Sequence, residues 1–251
     1  MPPRDLLIVA GEVSGDMLAA GLVRALRQQD PALRFFGIGG DALRGEGMEI
    51  LQDCASMAIV GFAEVLGRIP FFIRLLRRLE AVAAARRPAA AILVDYPGFN
   101  LRLAARLKRL GIPVFYYVCP QVWAWHRSRI GRLARSVERL FAIFPFEPEQ
   151  LAGSGLPVEF VGHPLVDAVA ALRLAPPPAL PWSGAPRLAL LPGSRPAEID
   201  RHLPLLLDAA RRLEREFPRL SCLLAAPTAD AARALDARLA AHAGPRPARL
   251  A

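Results

Sequence analysis

Short apolar runs, regularly separated by amphipathic stretches, constrain this chain more tightly than any other feature. Leu6 to Ala10, Arg34 to Ile38, Ala91 to Val94, Val114 to Val118, Leu140 to Phe144 and Val158 to Val161 have strand length and strand composition. Between the first two, Leu18, Leu22, Ala25 and Leu26 share one helical face, Arg24, Arg27 and Gln28 take the other, and Asp30-Pro31 stops the helix. Strand, helix and strand in alternation predict an α/β fold: a Rossmann-like parallel sheet with helices on both faces. No repeat of twenty to fifty residues interrupts the rhythm, so a solenoid or propeller is not expected.

The rhythm breaks once. From Leu174 to Pro186 the prolines can neither continue a helix nor donate to a strand ladder, and a domain boundary is expected there. The predicted organisation is a Rossmann-like domain over 1–173, a Pro-rich linker over 174–186 and a second Rossmann-like domain over 187–251. The second domain has strand Arg187 to Leu191, helix Ile199 to Phe217, strand Leu220 to Ala226 and one more helix, and two strands make it read as incomplete. The stretch from Ala243 to Ala251 reads as a frayed polar tail.

With 251 residues, 53% of them apolar, the chain can bury a substantial core. Only five consecutive apolar residues follow the amino terminus before Gly11-Glu12, so neither a signal peptide nor a spanning helix is expected. Cys54, Cys119 and Cys222 are widely spaced and odd in number, which fits reduced thiols and a cytoplasmic protein. The formal charge of +9 rests on arginine, since Lys108 is the single lysine. No basic run interleaved with aromatics accompanies it, so nucleic acid is not an expected partner, whereas anionic lipids and phosphorylated substrates are.

Three loops after predicted strands could carry chemistry. Gly11-Glu12-Val13-Ser14-Gly15-Asp16 opens a helix after the first strand, where glycines permit a tight turn and free N–H groups meet a ligand. Glu12 and Asp16 would repel a pyrophosphate, and the spacing is not that of the dinucleotide fingerprint, so a sugar-like or cationic group fits better. Equally, Ser14 or Asp16 could simply cap the helix. Asp95 ends the hydrophobic strand Ala91 to Val94, where open α/β sheets bind ligands, and a partly desolvated carboxylate there can act as a general base. An Asx-turn before the next helix is the alternative. Pro192-Gly193-Ser194-Arg195, followed by Glu198, is the better phosphate cradle, unless Arg195 is an ordinary surface residue.

Other stretches are less decisive. The segment from Cys119 to Arg127, with Trp123 and Trp125, suits sugar or lipid contact but equally core packing. His163 could face a cleft or brace the chain, and bracing is the preferred reading. No His, Cys or carboxylate cluster has ligand spacing, so no metal is expected, and no Gly-x-Ser-x-Gly elbow occurs. Finally, Ile69, Phe71, Phe72, Leu75 and Leu76 are set among arginines as in an interfacial helix, which predicts a membrane-surface contact; a core helix with a basic face is the alternative.

Taken jointly, Ala10 to Asp16, Asp95 to Asn100, Pro120 to Trp125, Phe144 to Glu147, Gly162 to Pro164 and Leu191 to Arg195 resemble, in order and spacing, the lipid-A-disaccharide synthases. The resemblance runs to about Ala226. It implies a GT-B glycosyltransferase, metal-independent, inverting and without a cofactor, peripheral on the cytoplasmic side of the inner membrane. Its substrates would be UDP-2,3-diacylglucosamine and 2,3-diacylglucosamine 1-phosphate. By the same resemblance Asp95 becomes the base on the acceptor 6-hydroxyl. Gly11, Glu12, Ser14, Gly15 and Asp16 would face the acceptor or the reacting sugar, with Asn100 as a further substrate-binding residue, while Ser194 and Arg195 would meet donor phosphate or the linkage between domains. The family's chains continue past residue 251 through a further nucleotide-sugar loop, so a partial second domain is expected, with the oligomeric state left open. Two competing readings are another GT-B enzyme, such as a UDP-N-acetylglucosamine 2-epimerase, and a noncatalytic acyl-sugar-binding module.

Overall fold

The computed structural model describes residues 4–57, 62–121, 127–194, 196–226, 229–240 and 248–250. The chain divides into two compact units, Met1–Leu172 and Arg173–Ala251.

The first unit runs β1 (Arg4–Ala10), α1 (Val13–Gln29), β2 (Leu33–Gly39), α2 (Asp41–Gly45), β3 (Glu49–Asp53), α3 (Phe62–Arg86), β4 (Ala90–Val94), α4 (Pro97–Arg109) and β5 (Val114–Tyr117). It continues with α5 (Ile130–Ser136), β6 (Arg139–Ala142), α6 (Glu147–Gln150), β7 (Val158–Phe160) and the helix α7 (Pro164–Leu174), whose last residues pass the unit boundary. The strands form one sheet in the order β3-β2-β1-β4-β5-β6-β7, with every pair parallel. The α/β expectation is therefore met by a doubly wound sheet. Chain order reverses between β1 and β4, and at such a switch point the loops leaving the carboxyl ends of two neighbouring strands diverge and open a crevice.

Alternate residues along each strand feed two separate cores, as the pleat requires. Leu7, Val9, Phe36, Leu93, Val114 and Tyr116 pack against α3, α4 and α5 on one face. Leu6, Ile8, Ala10, Phe35, Ile92 and Val94 meet α1 and the short α2 on the other. On that second face the helical cover is incomplete. A groove of about 1060 Å³ opens over β4, β5 and β6, floored by Ile92, Tyr117 and the stacked rings of Phe115 and Phe141. Helix α7 has no buried residue.

Three local expectations need correction. The face of α1 pressed onto the sheet is Ala19, Ala20 and Val23; Leu22 and Leu26 are half-buried along the groove and Ala25 is exposed. Small side chains let the helix axis lie close to the strands. β3 is an edge strand that no apolar run announced, since Glu49-Ile50-Leu51-Gln52-Asp53 has no fully buried residue. The expected frayed tail is overturned over Ala248–Leu250, which forms β10, parallel to β9; its other residues, 243–247 and 251, lie outside the described residues.

The second unit holds β8 (Arg187–Leu190), α8 (Pro196–Glu216), β9 (Ser221–Ala225), α9 (Ala229–Ala240) and β10, a parallel sheet ordered β10-β9-β8. Leu190 and Leu224 pack against Ile199, Leu203 and Leu207 of α8 and Leu235 and Leu239 of α9. The Pro-rich stretch docks its end on this unit: the Ser183 N–H donates to Ser221 Oγ at 2.9 Å, and the Arg187 guanidinium lies 5.8 Å from the Trp182 ring centre.

Candidate functional site

Register alone assembles the site. Ala10 of β1 pairs with Val94 of β4, so the next residues, Gly11 and Asp95, leave the sheet side by side at the switch point. The β1 loop can come this close because residue 11 has no side chain: a Cβ there would lie 2.5 Å from the Tyr96 ring.

Asp95 and Tyr96 are both left-handed, with φ of 45° and 48°, and Pro97 begins α4 immediately afterwards. Each non-glycine residue so held costs on the order of 1 kcal/mol, least for aspartate and more for tyrosine. The surroundings enforce the turn. The Asp95 N–H donates to Tyr117 O at 3.0 Å, and the Tyr96 hydroxyl donates to Met57 O at 2.9 Å. The Asp95 carboxyl is partly buried. Its pKa is raised above the ordinary 3.8, first by desolvation and second by the negative charge of Glu12, with a backbone hydrogen bond from Tyr96 opposing both. Two acids on adjacent loops thus hold one of them closer to a proton-accepting range, which general-base chemistry requires.

The remaining predicted residues of this half differ in exposure and in role. Glu12 is half-buried and is the N-cap residue of α1, with no side-chain cap bond, so helix capping is not its role. Ser14 is exposed in the first turn of α1. Gly15 is buried, with Val94 and Ala10 within van der Waals reach of where a Cβ would stand, and serves close helix–strand packing. Asp16 is a correction. It is 3% exposed, and its carboxylate accepts the backbone N–H groups of Gly40 at 2.7 Å, Ala42 at 3.0 Å and Leu43 at 3.3 Å. It caps α2 across the sheet edge and has no face left for a sugar.

Asn100 is likewise fully buried, so direct substrate contact is not what its side chain does. Its Nδ2 donates to Asp95 O at 2.7 Å and Val94 O at 3.2 Å, with Val9 O at 3.5 Å. Sequence reasoning missed Tyr116, whose buried hydroxyl donates to the same Asp95 carbonyl at 2.5 Å. An alternating strand residue looks like core, and only the parallel register with β4 shows what its hydroxyl reaches.

The loop 192–195 follows β8. Gly193 has a φ of 121°, and a Cβ on it would lie 2.7 Å from Glu198 Cβ. The exposed Ser194 donates its N–H to Glu198 Oε2 at 3.0 Å, and His202 Nδ1 stands 3.0 Å from Pro192 O. The loop is thus braced from the first turns of its own helix. Arg195, Trp123 and Trp125 lie outside the described residues.

Glu147 is buried, accepting the N–H groups of Ile143 and Phe144, and so shapes the loop after β6. His163 braces as expected: its Nδ1 accepts the Leu165 N–H at 3.2 Å, and its ring meets Phe144 edge-on at 5.5 Å. On α3 the membrane expectation is partly overturned. Leu75 and Leu76 are each 4% exposed, inside the core, and Phe71 and Phe72 pack against it, Phe72 lying 6.1 Å from Phe99. Ile69 is exposed, as is Ile73 one turn on. Among the described residues no helix is long and apolar enough to cross a membrane.

Comparison with known proteins bears on the fold and on the family. A Neisseria meningitidis UDP-GlcNAc 2-epimerase bound to UDP-GlcNAc superposes with a TM-score of 0.63 at 11% identity, covering 98% of this chain and 72% of that one. A spinosyn rhamnosyltransferase complexed with thymidine diphosphate gives 0.54 at 16% identity, over 99% and 70%. At such identities the likeness shows a shared GT-B type of fold and nothing finer. Sequence goes further. The lipid-A-disaccharide synthases of Anaeromyxobacter dehalogenans (strain 2CP-C) and Myxococcus xanthus (strain DK1622) are each 47% identical, over 95% and 91% of this chain and 63% and 61% of their own lengths. The chain therefore spans about three-fifths of the curated relatives it matches. The pattern described as lipid-A-disaccharide synthetase matches residues 6–242, and with these relatives it establishes that the chain belongs to the lipid-A-disaccharide synthase family.

Proposed function

We propose that this chain carries the acceptor-side machinery of an inverting glycosyl transfer from UDP-2,3-diacylglucosamine to 2,3-diacylglucosamine 1-phosphate. Asp95 takes the proton of the acceptor 6-hydroxyl as its oxygen attacks the anomeric carbon. The bond from that carbon to the diphosphate breaks, and UDP leaves with the electron pair. The β-1,6 disaccharide 1-phosphate results. The observation that carries the reading is the Asp95 carboxyl at the β1/β4 switch point, partly desolvated beside Glu12 and so tuned upward towards a base. Ser14, exposed at the amino end of α1, and Glu12 are assigned to hydroxyl groups of the sugars, while Ser194 and Arg195 are assigned to donor phosphate. The reading places the protein on the cytoplasmic surface of the inner membrane, with Ile69 and Ile73, next to Arg68, Arg74 and Arg77, as its apolar contact.

Incubation of the chain with the two acylated substrates, following UDP release and disaccharide, tests the reading. Asp95→Asn should lower turnover by about 10²–10⁴-fold. Undiminished turnover in that variant removes Asp95 as base, and acceptor binding without any UDP release by the parent chain assigns a binding role instead.

A further inference from the structure

The turn that presents Asp95 is held from behind by two buried side chains. Asn100 comes from the first turn of α4 and Tyr116 from the neighbouring strand β5, and both donate to the carbonyl oxygen of Asp95 itself, at 2.7 and 2.5 Å. The Asn100 amide also reaches Val94 O at 3.2 Å and lies 3.5 Å from Val9 O, so one side chain meets the carboxyl ends of both neighbouring strands, β4 and β1. Two features mark this arrangement as more than ordinary packing. The held residues are consecutive, left-handed and not glycine, a conformation that relaxes unless its neighbours over-determine it. The Asn100 Oδ1 is buried without a hydrogen-bond partner, so the amide is turned to serve the carbonyls and its own oxygen goes unsatisfied.

We infer that Asn100 and Tyr116 are positioning residues: together they clasp the Asp95 carbonyl, fix the left-handed turn and thereby aim the Asp95 carboxyl at the crevice beside Glu12. The inference rests on Asp95 being the base only for its effect on turnover; the clasp itself concerns where the carboxyl stands. Burial and the nearby Asp95 charge raise the Tyr116 phenol well above its usual 10, so it stays protonated and remains a donor throughout the working range. Neither residue touches substrate. Losing either clasp bond frees the Asp95 peptide to rotate, which moves the carboxyl away from Glu12 and into water. A misplacement of about 1 Å at such a group can cost on the order of 10²-fold in rate.

The test is a ¹³C NMR titration of the Asp95 carboxyl in the whole chain, its signal identified by its absence in Asp95→Asn, together with steady-state kinetics on the two acylated substrates. In Tyr116→Phe, which removes one hydroxyl and keeps the ring, and in Asn100→Ser, the midpoint should move down towards the ordinary carboxylate value. Turnover should fall by roughly 10- to 100-fold, with KM for the acceptor changed less than about threefold. A midpoint unmoved in Tyr116→Phe overturns the clasp, as does a raised acceptor KM at an unmoved midpoint in Asn100→Ser, which would make Asn100 a substrate contact. Should Asn100→Ser not fold, Tyr116→Phe decides alone. Full turnover in Asp95→Asn alongside a shifted midpoint in Tyr116→Phe would remove the proposed base and leave the clasp standing.

Discussion

At the scale of single residues, the site balances one carboxylate against another. Asp95 is held where its charge is disfavoured, and Asp16, four residues downstream of Glu12, where three N–H groups consume its charge. Opposite consequences follow on substitution. Because the Asp95 pKa is higher folded than unfolded, its contribution to stability is complete below the ordinary 3.8 and is lost as pH rises through the folded value. Asp95→Asn should therefore melt a few degrees higher than the parent at pH 7.5 and no higher at pH 3.5, as differential scanning fluorimetry would read, even as it loses turnover. Asp16→Ala should instead cost about 3 kcal/mol, since it strands three N–H groups, two of them buried. Amide hydrogen exchange at Gly40, Ala42 and Leu43 locates the loss; unchanged protection there would contradict the capping role. Both aspartates stand in loops that follow predicted strands, and nothing in the residue type itself separates them. Whether a carboxylate meets backbone donors or a crevice depends on residues far along the chain, 24 to 27 positions away for the donors on Asp16 and 83 for the Glu12 beside Asp95, which no local pattern contains.

At the scale of elements, the loops of the site are governed by what they pack against. Gly11→Ala would drive a methyl group into the Tyr96 ring, and the ring can yield only by giving up its hydroxyl bond to Met57 O. Loss of most activity with a melting temperature within a few degrees of the parent is expected; unimpaired turnover would show that the β1 loop and the β4 turn are not tightly fitted. Helix α3 illustrates the limits of reading a face from composition. Its run of Phe, Leu and Arg fits an interfacial helix and a core helix equally, and the neighbouring sheet and α4 decide by claiming Leu75, Leu76 and Leu79 outright. Ile69 and Ile73 remain outside. The double variant Ile69→Ser with Ile73→Ser should weaken sedimentation with anionic vesicles by roughly tenfold at unchanged melting temperature, whereas serine at Phe72 would damage the core. Equal sedimentation of parent and double variant would remove α3 as the contact.

At the scale of the whole molecule, each unit carries its own core. The first has one on either face of seven strands, and the second packs two helices on three strands, near the small end of what folds alone. We expect residues 1–172, expressed separately, to retain the dispersed NMR spectrum of the first unit, with Asp95 titrating as in the whole chain; collapse of that spectrum would show that the second unit is needed for the fold. The strand rhythm, the Pro-rich break and the placing of three loops at carboxyl strand ends were all determined by sequence, because period, turn chemistry and strand length are local properties. The six motifs carried the family resemblance for the same reason. Tertiary structure decided the rest: that Asp16 caps, that Asn100 and Tyr116 hold the Asp95 turn, that β3 and β10 join their sheets, and that Leu75 and Leu76 are core. Each depends on which strand lies beside which, and the β1–β4 register that brings Gly11 next to Asp95 joins residues 84 positions apart through hydrogen bonds that only the assembled sheet contains.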